Sequence, residues 1–374
     1  MIEKNSEQFS IREAGGACVL DGKGARYIDF YLNGGSLILG HAHRNVVLAV
    51  KKYAERGIGF GVQGREAGYL RSALLQKFSS LAEIHFAPSE TEALLRACAL
   101  ACRATGRARV VLAGCARTAA QLRALWPGGE LTVVSPGDRD ALKKAFFGSG
   151  KRIAALVLEP LQTDGALGLI SPDFARAAVE LRKKYQCLLI CDERKSALHS
   201  ALGSASLELS IGPDLICFGG VLGGGFDLGA YGLFSDARIA HHFEQCEEGR
   251  IAPLIFRAGL MNLRLLNEGL YAALEDRVKT LTDELAAVCR GQAGAAVRVE
   301  RIYHMFKVHF SRPRKGAPSH GQDEELRKFL FERGIYSGPE AGGVFSISSA
   351  HTKKQIGCLK DALIGFLTTI AQGS

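Results

Sequence analysis

From about residue 84 the chain alternates short apolar runs with segments of helical spacing, and this rhythm restricts the fold more than any other feature. The runs are IHFA, RVVLAG, LTVVS, IAALVLEP, CLLICDE and DLICFGG. Between them lie stretches such as Glu92 to Thr105 and Pro172 to Tyr185, where apolar residues recur three or four apart. Runs of this kind, separated by helices, predict an α/β fold whose mostly parallel sheet is covered on both faces. In such sheets ligands bind beyond the carboxyl ends of the strands.

The flanks read differently. Near the start, ACVLDGKGARYIDFY gives two short strands around Asp21-Gly22, and Asn45 to Glu55 has helical spacing. Past Pro253 a long helix is expected from Leu254 to Cys289, connecting to a second domain. That domain's remainder, strand-like VRVERIYHMFKVHF, helical DEELRKFLFERG and a terminal helix after Thr352, suits a small α+β unit.

Composition sets the class. A chain of 374 residues with 47% hydrophobic and 23% charged residues is not disordered and can bury a core without disulfide or metal staples. The formal charge of +9 favours anionic partners weakly. The densest basic runs, Arg103, Arg107, Arg109 and Arg312, Arg314, Lys315, lack interleaved aromatics, so they read as solvated surface rather than a nucleic-acid site. Ten cysteines show no CxxC pair and no zinc spacing. Cys98 and Cys102 fall on a helical pattern, and Cys187 and Cys191 on one face of a strand, as small core residues. The first residues, MIEKNSEQFS, do not resemble a signal peptide, and no apolar stretch is long enough to span a bilayer, so the expected location is cytoplasmic and no membrane partner is expected.

Three segments stand out for chemistry. Ser89-Glu90-Thr91-Glu92 precedes a helix; Ser89 with Glu92 makes a capping box, and free amides at a helix start can hold a phosphate. Asp192 ends the run QCLLICDE, where a buried carboxylate demands a cation, either in a ligand or in an ion pair with Arg194; a helix cap is the third reading. The glycine-rich FGGVLGGGFDLGAYG permits close backbone approach but does not match a dinucleotide fingerprint.

Taken together these segments resemble the class III pyridoxal-phosphate-dependent aminotransferases, and within them the glutamate-1-semialdehyde aminomutases. The resemblance runs through GARYIDF, LILGHAH, the TEA at residues 91 to 93, ALVLEP, LLICDE, GPDL, GGGFDLGAYG, EAG and SSAHT, in the family's order. It implies fold type I: a large domain at 51–258 with a mixed, mostly parallel seven-stranded sheet, a connecting helix and C-terminal small domain at 259–374, and residues 1–50 contributing to the small domain. It implies a homodimer. It also assigns Asp192 to the protonated pyridine nitrogen of the cofactor, which keeps the ring an electron sink.

Several family positions are changed. Where the resemblance places the Schiff-base lysine, FGGVLGGG puts Gly220, and no lysine occurs between Lys195 and Lys279. The phosphate loop reads Ser89-Glu90-Thr91, with a carboxylate where a small residue belongs. If that charge stayed near a phosphate, repulsion at about 4 Å and an effective dielectric of about 20 would be roughly 4 kcal/mol, about a thousandfold in binding; an outward swing would relieve it. Ala116 stands at the ring-stacking aromatic, and Arg250 falls in the stretch that supplies a threonine to the phosphate. Lys195 matches a position near the ring hydroxyl. The expectation is a homologue that has lost transamination and binds or scaffolds, with pyridoxal phosphate weakened or lost. It would hold an anionic small molecule near Asp192, Thr91 and Arg250, or pair with an active paralogue. The alternative is an active enzyme using Lys195 on an amino acid, amino aldehyde or amino sugar. No metal site is expected.

Overall fold

A computed structural model describes residues 9–126, 128–148, 150–234, 237–290, 297–310, 321–339 and 343–372. The basic run Arg312, Arg314, Lys315 and the EAG motif at 340–342 lie outside the described residues. The chain divides into two compact units.

The larger unit comprises Leu48–Asp164 and Gly168–Leu266. Its strands are β1 (Leu81–Ala87), β2 (Arg109–Ala113), β3 (Glu130–Val134), β4 (Ile153–Leu158), β5 (Leu188–Asp192), β6 (Leu215–Phe218) and β7 (Gly229–Phe234). Among the described residues these pair into one seven-stranded sheet, in spatial order β1-β7-β6-β5-β4-β2-β3. The five strands from β6 to β3 in that order run parallel, whereas β7 is antiparallel to both β6 and β1. The sheet is therefore mixed and mostly parallel, as the alternating runs and the family resemblance imply.

The pleat explains the apolar runs. Leu188 and Ile190 of β5 enter one core cluster with Ala97, Val110 and Tyr231, while Cys187, Leu189 and Cys191 enter another with Phe146 and Phe174. Successive side chains point to opposite faces, and helices close both. Cys187 and Cys191 thus share a face as their spacing predicts, and Cys98 is buried one helical turn from half-buried Cys102. Burial pushes the thiols of Cys98, Cys191 and Cys217 well above the ordinary cysteine range, so these are packing residues.

The smaller unit is built from Met1–Val47, Gly165–Leu167 and Asn267–Ser374. Strands Ile11–Gly15, Cys18–Asp21 and Arg26–Asp29 form an antiparallel meander, joined in parallel by Ile335–Tyr336. Its predicted Asp21-Gly22 turn is present, tied by the Asp21 carboxylate accepting from the amides of Lys23 at 2.9 Å and Ala25 at 2.8 Å. Val297–Ile302, Met305–Phe310 and Phe345–Ser346 make a second antiparallel sheet, and a helix over Lys353–Gln372 follows Thr352.

The single helix expected from Leu254 to Cys289 is two helices, Pro253–Leu265 and Glu268–Val288. Leu266 turns extended, and the Asn267 side chain caps the second helix by accepting from the Leu270 amide at 3.0 Å. No described helix is long and apolar enough to cross a membrane.

Candidate functional site

The carboxyl ends of β2, β4, β5 and β6 carry Gly114-Cys115, Glu159, Asp192 and Gly219-Gly220 in turn, all within the larger unit. This is the edge where an open α/β sheet binds its ligands. Asp192 is 5% exposed. Its two oxygens face the Arg194 guanidinium, with Nε donating to Oδ1 at 2.7 Å and Nη2 to Oδ2 at 2.8 Å. The Arg194 amide adds a third donor to Oδ1 at 3.3 Å. Both side chains are 3% exposed.

Burying two charges costs more than it returns unless the geometry is bidentate and the leftover donors find partners. Here they do. Nη2 also donates to the Thr118 hydroxyl at 3.3 Å, and Nη1 to the Gln121 amide oxygen at 3.5 Å; both partners lie on the helix Ala116–Leu125. Burial works against the charged guanidinium, but the Asp192 charge and hydrogen bonds outweigh it, so Arg194 stays cationic above its ordinary range. Of the sequence readings for Asp192, the ion pair with Arg194 is the one in the structure.

Lys195, the next residue, points elsewhere. Its Nζ donates to Cys115 Sγ at 3.2 Å and stands 4.0 Å from Glu159 Oε2, with a third of the side chain exposed. Burial disfavours its charge, yet Glu159 and Cys115 raise its pKa above the usual lysine value. A reactive imine-forming lysine needs the opposite shift. Cys115 caps the helix Ala116–Leu125 by accepting from the Thr118 amide, and its own amide donates to Glu159 Oε2 at 3.1 Å. Ala116 follows on the exposed first turn, with no ring to stack on a planar ligand.

The glycine turn leads into a 3-10 segment, Gly220–Gly223, and Gly220 sits at φ +48°. Its amide donates to Glu90 Oε2 at 3.1 Å. A Cβ on Gly219 would lie 2.5 Å from Glu90 Cβ, so only glycine admits this approach. Glu90 is therefore folded inward over the turn, and the outward swing does not occur. Ser89 caps the helix Glu90–Thr105 by accepting from the Glu92 amide at 3.2 Å, but the reciprocal half of the capping box is absent because the Glu92 carboxylate pairs with Arg96 Nε at 2.9 Å. Thr91 is half-buried on the same first turn.

Arg250 is exposed. Its neighbour Gly249 packs on Pro88 and donates its amide to Phe86 O at 3.2 Å, so this loop borders the Ser89 loop. Of the residues that sequence reasoning singled out, the structure brings Gly220 and Glu90 together and sets Asp192 against Arg194. Sequence reasoning missed Thr118, Gln121, Cys115 and Glu159. The apolar run ending at Glu159 resembles that ending at Asp192, and this similarity was a usable signal for one of the four.

Comparison with known proteins decides the lineage. A family profile described as aminotransferase class-III matches residues 139–299. The chain is 32% identical to a glutamate-1-semialdehyde 2,1-aminomutase of Desulforudis audaxviator (strain MP104C), over 91% of this chain and 86% of that protein. It is 31% identical to that of Desulfitobacterium hafniense (strain DSM 10664 / DCB-2), over 94% and 88%. The chain belongs to the class III aminotransferase family. Among solved structures, an omega-transaminase from Sphaerobacter thermophilus superposes with a TM-score of 0.85 at 22% identity, covering 98% of this chain and 94% of that one. A transaminase with PLP bound gives 0.86 at 21%, covering 98% and 92%. These likenesses establish fold type I for the larger unit's sheet and helices.

Proposed function

We propose that this class III aminotransferase homologue does not transaminate and acts instead by binding or scaffolding, as a homodimer or beside an active paralogue. The observation that carries this reading is Gly220: at the position the resemblance gives to the Schiff-base lysine there is no side chain, and the backbone amide is engaged by the Glu90 carboxylate. Glycine can neither condense with an aldehyde nor carry a proton between carbon atoms. The residues present do not fit pyridoxal phosphate as the family is expected to hold it. Asp192 is already paired, Ala116 offers no ring, and Glu90 brings a negative charge to the turn. The anionic ligand expected near Asp192, Thr91 and Arg250 has less support for the same reason, since Glu90 lies among them.

Use of Lys195 as a substitute is disfavoured by its Cys115 and Glu159 contacts, which hold the ammonium. The test is to mix purified protein with pyridoxal phosphate, reduce with borohydride and map the peptides by mass. The expected result is no absorption band beyond that of the free cofactor and no lysine modified above the background labelling of exposed lysines. A reducible, coloured adduct formed one per chain on a single lysine, the Lys195 peptide included, would overturn the proposal.

A further inference from the structure

We infer that Arg194 is a built-in substitute for the cofactor's ring nitrogen: its guanidinium occupies the Asp192 carboxylate and closes the site to external nitrogen heteroaromatics. This rests on and deepens the reading above, which is carried by the missing amine, and it makes a separately testable claim about non-covalent binding.

The geometry is that of an enclosed ligand. A protonated pyridine offers a carboxylate one charged N–H; the Arg194 guanidinium offers two, at 2.7 Å and 2.8 Å, on the two Asp192 oxygens. Two of its three remaining N–H groups end on Thr118 and Gln121, on the same helix on which the resemblance places the ring-stacking residue, here Ala116. Glu90, at the start of the helix Glu90–Thr105, turns its negative charge toward it over the glycine turn, and a Cβ on Gly219 would stand 3.2 Å from Arg194 Cβ. Both charges are 3% exposed, so an incoming cation would have to displace a guanidinium that cannot lose its proton and has no solvated position to move to without breaking four side-chain contacts.

The same arrangement explains how Asp192 persists without a cofactor. A buried carboxylate stripped of its cation is strongly unfavourable. Here the cation is supplied two residues along the same chain, so the strand end is neutralised at all times. The ligand class that Arg194 replaces is a planar, N-protonated heteroaromatic.

The test uses pyridoxamine phosphate, which has no aldehyde and so reports ring binding without lysine condensation. Thermal melting of the full chain is followed with and without the compound, for the wild type and for Arg194→Val. The wild type should show no change in melting temperature. Arg194→Val, with Asp192 left open, should melt higher in its presence and bind it about tenfold more tightly or better, the value of one restored charge-assisted hydrogen bond. A pyridoxamine phosphate analogue with carbon in place of the ring nitrogen should give no such rise. Arg194→Met, which also leaves Asp192 open but fills more of the space of the lost side chain, is read in the same way should the valine variant fail to fold. A wild type that is stabilised as much as the variants, folded variants indifferent to the compound, or equal binding of the carbon analogue would each overturn the inference. Wild-type binding of this kind would leave the absence of an imine untouched, whereas a lysine adduct with pyridoxal phosphate would overturn the absence of transamination instead.

Discussion

Arg194 and Lys195 are adjacent cations with opposite fates: one is 3% exposed on Asp192, the other a third exposed on Cys115. The inward cation depends on its acceptors, because the Thr118 hydroxyl takes an N–H of the buried Arg194 guanidinium at 3.3 Å and is itself buried. Thr118→Val should therefore lower stability by about 1–3 kcal/mol, the cost of leaving that buried donor unmet. The measurement is the urea midpoint of the variant, and an unchanged midpoint would show that the contact has no influence. At this scale the sequence was legible where a residue's chemistry is simply absent, as at Gly220, or where a strand end places it, as at Asp192. It could not say which of two neighbouring cations turns inward. That choice is made by Thr118 and Gln121, 76 and 73 residues away in the chain, and the irregular turn after β5 has no period to reveal it.

Elements were legible in proportion to the purity of their hydrophobic pattern. IAALVL and LLICD are buried at every position and were read as central strands. GAYGLF was missed, although it is β7, because two glycines interrupt the alternation in which buried Tyr231 and Leu233 share one face and Ala230 takes the other. Its antiparallel direction between β6 and β1 follows from the short return through the glycine turn, which leaves no length for a helical crossover. The break at Leu266 was missed for a different reason. The apolar spacing continues across it, and only the Asn267 cap marks the new start. Asn267→Ala should therefore lower stability by about 1 kcal/mol, measured as a shift in the urea midpoint at unchanged slope. Full stability in that variant would mean that packing alone, rather than the cap, begins the Glu268–Val288 helix.

At the scale of the whole molecule, the two units differ in how they hold histidine. In the smaller unit, burial lowers the pKa of both His304 and His351 to about 4, and His351 is fixed by the Ser348 amide at 3.0 Å and stacked 4.4 Å from Phe30. Each is neutral in the fold but protonates in the unfolded chain below its ordinary value near 6.5, so the unfolded state binds more protons between those limits. Stability is thus complete above the unfolded value and is lost as pH falls toward about 4, at roughly 3 kcal/mol for each histidine. His309 in this unit is also lowered by burial, which outweighs Glu300, and adds in the same direction; Glu300 itself, depressed against burial by the Leu167 amide and its cations, is lost at still lower pH. The larger unit has His85, lowered by burial but opposed by Glu248 and Glu83. It also holds the chain's one tryptophan, Trp126, packed against its core. On acidification from neutrality, far-ultraviolet circular dichroism should therefore report loss of structure before Trp126 fluorescence shifts. His304→Phe, which cannot protonate, should move the early transition to lower pH while leaving the tryptophan transition in place. Coincident transitions, or an early transition unmoved by that substitution, would place the acid sensitivity outside these buried imidazoles and return it to the carboxylates that both units share.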